Sequence, residues 1–217
     1  SMNFDVLGID ITAPGVSFFD TLIFDLRRLQ EREGRKEFND LLLKRLDGQH
    51  RVRALINNAA MQVVCPVLEI DMQDVLDSVT VNALSALYLS RITAPFFRDR
   101  HASIINIGSI HSSLSKGKFG SYGISKAALE GVSRALALEL GAECKVCHLN
   151  PAAIDSEMLN SGLFNRESKE ALKKLHPSGD IASCSEVAGL IALIATTKMP
   201  FANGAFWNFD GGISAKL

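Results

Sequence analysis

Apolar residues along this chain alternate between two spacings, one fitting short strands and the other fitting helices. Phe4–Ile11 (Phe-Asp-Val-Leu-Gly-Ile-Asp-Ile) predicts a strand with Asp10 at its carboxyl end. Thr12–Asp20 is a connector broken by Pro14 and Gly15, and Thr21–Phe24 predicts a second strand closing on Asp25-Leu26. Phe38, Leu41, Leu42 and Leu46 have helical spacing, stopped by Asp47-Gly48. Val52–Ile56 predicts a strand that opens into Asn57-Asn58-Ala59-Ala60, and a long helix is predicted from about Met72 to Phe97. Val75, Val79, Ala83, Ala86 and Ser90 lie along one face of that helix. Ser103–Ile107 predicts a buried strand, Ser121–Leu140 a helix and Lys145–Leu149 another strand. Ser156–Cys184 is polar, irregular and partly helical, and Ser183-Cys-Ser-Glu186 predicts a capping box ahead of a helix over Val187–Thr196. Ala205–Phe209 is the last predicted strand.

Strands alternating with helices predict an α/β fold, a doubly wound parallel sheet covered on both faces. At 217 residues one domain covering 1–217 is expected. Ligands of such sheets bind outside the carboxyl ends of the strands, where Asp10, Asp25, Asn57, Ser109 and Asn150 fall.

Composition narrows the class further. With 47% hydrophobic residues, 22% charged and a net charge of −1, the chain has no electrostatic footprint for nucleic acid or an anionic membrane. Its longest strongly apolar run, Val187–Ala195, is too short to span a bilayer, and no basic-then-apolar leader precedes the fold. A cytoplasmic location is expected, with Ser1 ahead of Met2 read as a cloning remnant. Cys144-Lys-Val-Cys147-His148 matches a haem-attachment pattern letter for letter, but the segment continues like a sheet strand. Zinc needs four closed ligands, which no second Cys/His pair supplies, so no metal site is expected and the four cysteines are read as reduced thiols. His101, His111 and His148 have no spaced ligand partners and receive no role.

The chemistry is concentrated between Ser103 and Lys126. The strand Ser103–Ile107 delivers Gly108-Ser109 at its end, and Tyr122 and Lys126, four apart, share one helix face. A phenol titrates near about 10, and a neighbouring ammonium favours the phenolate and lowers that value. Ser109, thirteen residues before Tyr122, is placed to hold a substrate oxygen beside the phenol.

This set resembles the active site of the short-chain dehydrogenase/reductase family. The other ordered stretches agree: Asn57-Asn58-Ala59-Ala60, Asn82 within a helix, Asn150-Pro151-Ala152 after a strand and Asp210-Gly211-Gly212 near the end. The resemblance implies a Rossmann-like fold and alcohol/carbonyl interconversion on a small molecule. It makes Tyr122 the acid/base, Lys126 its pKa-lowering and ribose-binding partner, Ser109 the group orienting the substrate and Asn82 the holder of a relay water. It implies NAD(H), with Asp10 on the adenosine ribose, Asp25 and Leu26 at the adenine, and Asn57 and Ala59 beside the ribose. Pro151, Ala152 and Ile154 resemble the turn over the nicotinamide, with Ser156 in place of a usual threonine. A homodimer or homotetramer is implied too, through Met72–Phe97 and Ser121–Leu140, whose Leu84, Leu87, Leu89, Leu129, Val132 and Leu136 widen the apolar face. One departure stands out. The glycine-rich phosphate loop of the family, with its strand and helix, is not found in these residues. The first βα unit is therefore expected to be missing, and dinucleotide binding to be weak or absent. A cofactor-deficient relative with a binding or structural role is the alternative.

Overall fold

The computed structural model describes residues 4–13, 19–46, 51–97, 101–162 and 166–216. Strands β1 (Leu7–Asp10) and β2 (Asp20–Ile23) lead into helix α1 (Arg32–Leu46). Strand β3 (Ala54–Asn57), helices α2 (Met72–Val79) and α3 (Ser85–Thr93), strand β4 (Ala102–Ile107) and helix α4 (Gly120–Leu140) follow. The chain continues through β5 (Cys144–Pro151), β6 (Ile154–Asp155), α5 (Glu157–Gly162), α6 (Arg166–Leu175), β7 (Ala182–Ser183), α7 (Cys184–Thr196) and β8 (Ala205–Phe209). The expected stop at Asp47-Gly48, the breakers Pro14 and Gly15, and the remnant Ser1-Met2 lie outside the described residues.

Every strand pairing is parallel, and the main sheet runs β3-β4-β5-β8. Strands β4 and β5 are buried along their whole length, as expected for strands covered on both faces. Alternation sorts their side chains. Ile104 and Val146 pack with Leu136 and Ala137 of α4, while Ile105, Ile107, Cys147 and Leu149 pack with Val187, Ile194 and Ala195 of α7. Cys144 and Cys147, three apart, therefore join different core clusters on opposite faces, so they cannot hold one group between them. Burial raises both thiols above their ordinary range, Cys144 to about 11.

β1 pairs with β2 and β3 with β4, and no pairing joins β1 to β3. The two parts share a side-chain core instead. Leu7 and Ile9 from β1, and Val52 and Leu55 from the β3 region, all pack against the cluster of Leu22, Phe24, Phe38 and Leu42. Phe38 is fully buried, its ring centroid 4.8 Å from that of Phe24. Gly34 opens α1 because a Cβ there would lie 2.0 Å from the Arg28 carbonyl oxygen.

Three further expectations change at their edges. The first strand is shorter than Phe4–Ile11, since both flanks are exposed and unpaired. The helix expected over Met72–Phe97 is α2, a π-helical turn (Thr80–Leu84), α3 and a 3₁₀ turn at Ala94–Phe96 that contains Pro95. The wide turn rotates Asn82 inward, and Pro95 lacks the N–H that would continue an α-helix. Ser183 and Glu186 form the expected capping box of α7.

Candidate active site

β4 ends at the carboxyl edge of the sheet, and Gly108-Ser109 leaves it in extended conformation (Ser109 φ −167°, ψ 153°). Ser109 caps the short 3₁₀ turn Ile110–Ser112, its Oγ accepting the His111 N–H at 3.2 Å. Its own N–H donates to Asn150 Oδ1 at 3.1 Å, tying β4 to the end of β5. Tyr122 stands in the first turn of α4, with its phenol near enough to Ser109 for that side chain to favour the phenolate. Phe119 and His111 meet the Tyr122 ring edge-on, with centroids 6.3 and 6.1 Å away.

Lys126 lies one turn further along and is 2% exposed. Its Nζ donates to the Ile107 carbonyl oxygen at 2.7 Å and sits 5.7 Å from the Tyr122 ring centroid. Burial of the ammonium without a carboxylate beside it lowers Lys126 from 10.5 to about 8. The sequence expectation was that this ammonium lowers the phenol. In the structure burial raises Tyr122 by more than Ser109 lowers it, so the phenol lies above its ordinary value.

Asn82, buried on the π-helical turn, reaches the same helix. Its Oδ1 accepts the Met61 N–H at 2.7 Å, and its Nδ2 donates to the Met61 carbonyl (2.9 Å) and to Ser125 Oγ (2.7 Å). Both amide hydrogens are thus engaged in clamping the segment after β3 onto α4.

The remaining predicted residues distribute along the carboxyl ends of the strands. Asp10 ends β1 and is exposed, with Oδ1 accepting the Thr12 N–H at 3.1 Å. Asp25 caps a 3₁₀ turn, and the Arg27 guanidinium bonded to it holds its carboxyl below the usual range. Leu26 beside it is buried in the core. Asn57 donates to Asn106 Oδ1 at 2.7 Å, and its own Oδ1 is buried with no partner. Ala59 is exposed, Pro151 ends β5, and Ala152 N–H donates to the Phe209 carbonyl at 3.2 Å. Ile154 packs in the α7-side core, and Ser156 Oγ accepts the Leu159 N–H at 3.4 Å. The structure thus gathers Ser109, Tyr122 and Lys126 at one point. Asp10 ends a strand of the separate β1–β2 sheet, and Asp25 follows β2 just beyond it. Sequence reasoning passed over Asn106, Ser133, Glu130 and His148, which line the buried side of this site. The available signal was Asn106, a lone polar residue inside the apolar run Ile104-Ile105-Asn106-Ile107. Among the described residues no group of three or more His, Cys, Asp or Glu could hold a metal ion, and no helix is long and apolar enough to cross a membrane.

Parallel strands with helices on both faces define a Rossmann-like α/β protein, and a hydroxyl, a phenol and an ammonium gather at its strand ends. The chain belongs to the short-chain dehydrogenase/reductase family. The family model described as Enoyl-(Acyl carrier protein) reductase matches residues 36–214. A tropinone reductase homologue of Arabidopsis thaliana is 25% identical over 166 residues, covering 76% of this chain and 61% of that protein. Gluconate 5-dehydrogenase of Gluconobacter oxydans is 26% identical over 165 residues, 75% of this chain and 64% of the relative. L-xylulose reductase of Caenorhabditis elegans is 26% identical, covering 81% and 71%. The chain therefore spans less than two thirds of the Arabidopsis and Gluconobacter relatives. The same fold occurs in ligand-free aldohexose dehydrogenase of Thermoplasma acidophilum (TM-score 0.87, 23% identity, 98% of this chain and 85% of that one). It occurs also in gluconate 5-dehydrogenase of Burkholderia cenocepacia solved with NADP and tartrate (TM-score 0.79, 22% identity, 92% and 76%).

The buried ammonium gives a pH test. The lysine binds its proton more weakly folded (about 8) than unfolded (10.5), so the unfolded chain holds more protons between those values and stability rises with pH across that window. Lys126→Met removes the titration. In urea melts, wild type is expected to gain on the methionine variant by up to about 3 kcal/mol between neutral pH and pH ~10.5. A difference that does not change with pH would refute the lowered value.

Proposed function

We propose that this chain is an NAD(H)-dependent oxidoreductase interconverting an alcohol and a carbonyl, with Tyr122 as acid/base. The observation that carries this reading is the gathering of Ser109 and Tyr122 at the end of β4, with Lys126 buried one helical turn below. A phenol above its ordinary value of about 10 keeps its proton at neutral pH, so it is ready to donate to a carbonyl oxygen. Ser109 Oγ shares that oxygen and fixes its distance from the phenol. Asn82 contributes by holding Ser125 and the Met61 segment, which steadies the helix face that carries Tyr122 and Lys126.

The residues present fit a nicotinamide cofactor. Lys126 has N–H groups beyond the one given to Ile107, and Asn57 Oδ1 is a buried acceptor lacking a donor. Sugar hydroxyls, which both donate and accept, suit these groups. A bound nicotinamide supplies or accepts the hydride. Asp10 supports NAD(H), since a carboxylate accepts from ribose hydroxyls and repels a 2′-phosphate, and Ile11-Thr12-Ala13 brings no cation. Asp25, Leu26, Ala59, Pro151, Ala152, Ile154 and Ser156 complete the proposed cofactor surface. Free cysteines at 65, 144, 147 and 184 fit a reducing, cytoplasmic setting.

Gluconate and L-xylulose, named in two relatives, are the first substrates to try. Tyr122→Phe keeps the ring and removes the proton, so NADH-dependent turnover is expected to fall by at least about 10². Undiminished turnover removes Tyr122 from the mechanism.

Cofactor affinity follows from the phosphate contacts. The 217 residues contain no Gly-x-x-x-Gly-x-Gly stretch, whose backbone N–H groups and following helix would receive a pyrophosphate. Asp10 and Asp25 offer an adenosine half-site alone. Calorimetric titration with NADH is expected to give no binding tighter than roughly millimolar, worth about 4 kcal/mol, and micromolar binding would overturn this.

We also propose a homodimer or homotetramer formed through α2, α3 and α4. Leu76, Leu84, Leu87 and Ile124 on these elements are about half exposed and support it. Leu89, Leu129 and Leu136, counted from sequence toward the same face, are buried within the fold and do not contribute. Light scattering at micromolar concentration should give at least twice the 23.6 kDa chain mass. A monomer would refute it.

A further inference from the structure

A chain of side-chain hydrogen bonds runs under the carboxyl end of the sheet, behind Ser109. Asn57 Nδ2 donates to Asn106 Oδ1 (2.7 Å), and Asn106 Nδ2 donates to Ser133 Oγ (2.8 Å). Ser133 Oγ lies 2.7 Å from His148 Nδ1, and His148 Nε2 lies 2.9 Å from Asn150 Oδ1, the oxygen that accepts the Ser109 N–H. Asn150 Nδ2 reaches Glu130 Oε1 at 3.5 Å, and the Ser112 hydroxyl donates to that same carboxylate oxygen. Asn106, Ser133 and His148 are all buried. The close approach needs Gly108, because a Cβ there would lie 2.1 Å from His148 Nε2 and 2.3 Å from Asn150 Oδ1.

Donor and acceptor accounting assigns the protons. The Ser109 N–H can only donate, so Asn150 must present its carbonyl oxygen there, and His148 Nε2 must then carry a hydrogen. In a neutral ring Nδ1 is the acceptor, which turns the Ser133 hydroxyl proton toward it and away from the Leu129 carbonyl at 2.8 Å. Neutrality fits the surroundings. Burial pushes His148 down to about 4, with Lys126 and Arg134 adding to that and Glu130 opposing it, all three on α4. From the neighbouring strands it meets uncharged groups, Asn106 on β4 and the Phe206 ring stacked 4.8 Å away on β8.

We propose that His148 is a positioning residue for Ser109. Its Nε2–H locks the Asn150 amide with the carbonyl oxygen under the Ser109 N–H, and this fixes the backbone from which the Ser109 hydroxyl meets Tyr122. Without that donor nothing in the ring opposes an amide flip, which would set the Asn150 NH₂ against the Ser109 N–H, donor to donor. The inference rests on the reading of Ser109 and Tyr122 as the reacting pair.

Two variants separate positioning from mere filling. Glutamine carries an amide nitrogen near the place of Nε2, whereas asparagine reaches only the place of Nδ1. In ¹⁵N NMR of the wild-type chain, His148 is expected as the neutral Nε2–H form throughout about pH 6 to 8. An Nδ1–H form, or titration within that range, overturns the proposal without any variant. The Ser109 amide resonance should stay near its wild-type position in His148→Gln and move in His148→Asn, and equal displacement in both overturns it. In turnover with NADH, His148→Asn should lower kcat about tenfold with KM little changed, and His148→Gln should recover most of the loss. Equal losses in both variants count against the proposal. If the wild-type chain shows no turnover, the functional reading fails, and the NMR arm still decides whether His148 holds Ser109.

Discussion

The bond from the Lys126 ammonium to the Ile107 carbonyl is the constraint around which the carboxyl edge of this sheet is arranged. An ammonium removed from water is costly, and here one main-chain oxygen meets it at 2.7 Å, with no carboxylate beside it. That carbonyl is available because β4 ends there and the chain turns through Gly108 into Ser109. The register of α4 must then place Lys126 against the end of β4, and this fixes Tyr122 one turn earlier and Ser125 between them. Ser125 in turn receives Asn82 from the π-helical turn. A single buried cation thus orders two helices and the end of a strand.

The cost of that arrangement explains why the inward face of α4 is unusual. Ser121, Tyr122, Ser125, Lys126 and Ser133 are buried on a helix whose apolar positions, Leu129, Leu136 and Ala137, would ordinarily suffice to dock it. Ser125 and Ser133 find partners in Asn82, Asn106 and His148, which come from the π-helical turn, β4 and β5, and Lys126 finds the Ile107 carbonyl. The result is a helix held to the sheet by directional bonds near its amino end and by nonpolar packing further along. Directional bonds specify position more sharply than packing does, and the amino end is where the phenol must be placed.

Much of this was legible in the chain itself. Strand and helix alternation revealed the architecture because short segments rich in Ile, Val and Leu, such as β4, stand between stretches of helical spacing. The spacing of Ser109, Tyr122 and Lys126 revealed the gathered site because a helix puts residues four apart on one face. Other features depend on distance in space and were hidden. The direction of the Tyr122 shift turns on how burial compares with the influence of Ser109, which no spacing encodes. The break at Thr80–Leu84 carries no glycine or proline to announce it. His148 looked like one member of a cysteine–histidine motif, and it is recognisable as a network member only once β4 and β5 are paired, Asn106 beside His148.

The division of the sheet bears on how the two ends of the proposed cofactor surface relate. Asp10 and Asp25 stand on a part joined to the rest through Leu7, Ile9, Val52 and Leu55 packing on one core, with no backbone pairing from β1 to β3. Side-chain packing resists separation but fixes register less firmly than a ladder of hydrogen bonds, whose spacing is set by the backbone. Ser109, Tyr122 and Lys126 sit instead at the fully paired centre, where β4 has a strand on each side. These three side chains are therefore held rigidly whatever the β1–β2 part does. In the proposed reading, distance between the adenosine end and the reacting end is the loosely specified quantity, and a ligand bridging both would itself supply the missing register.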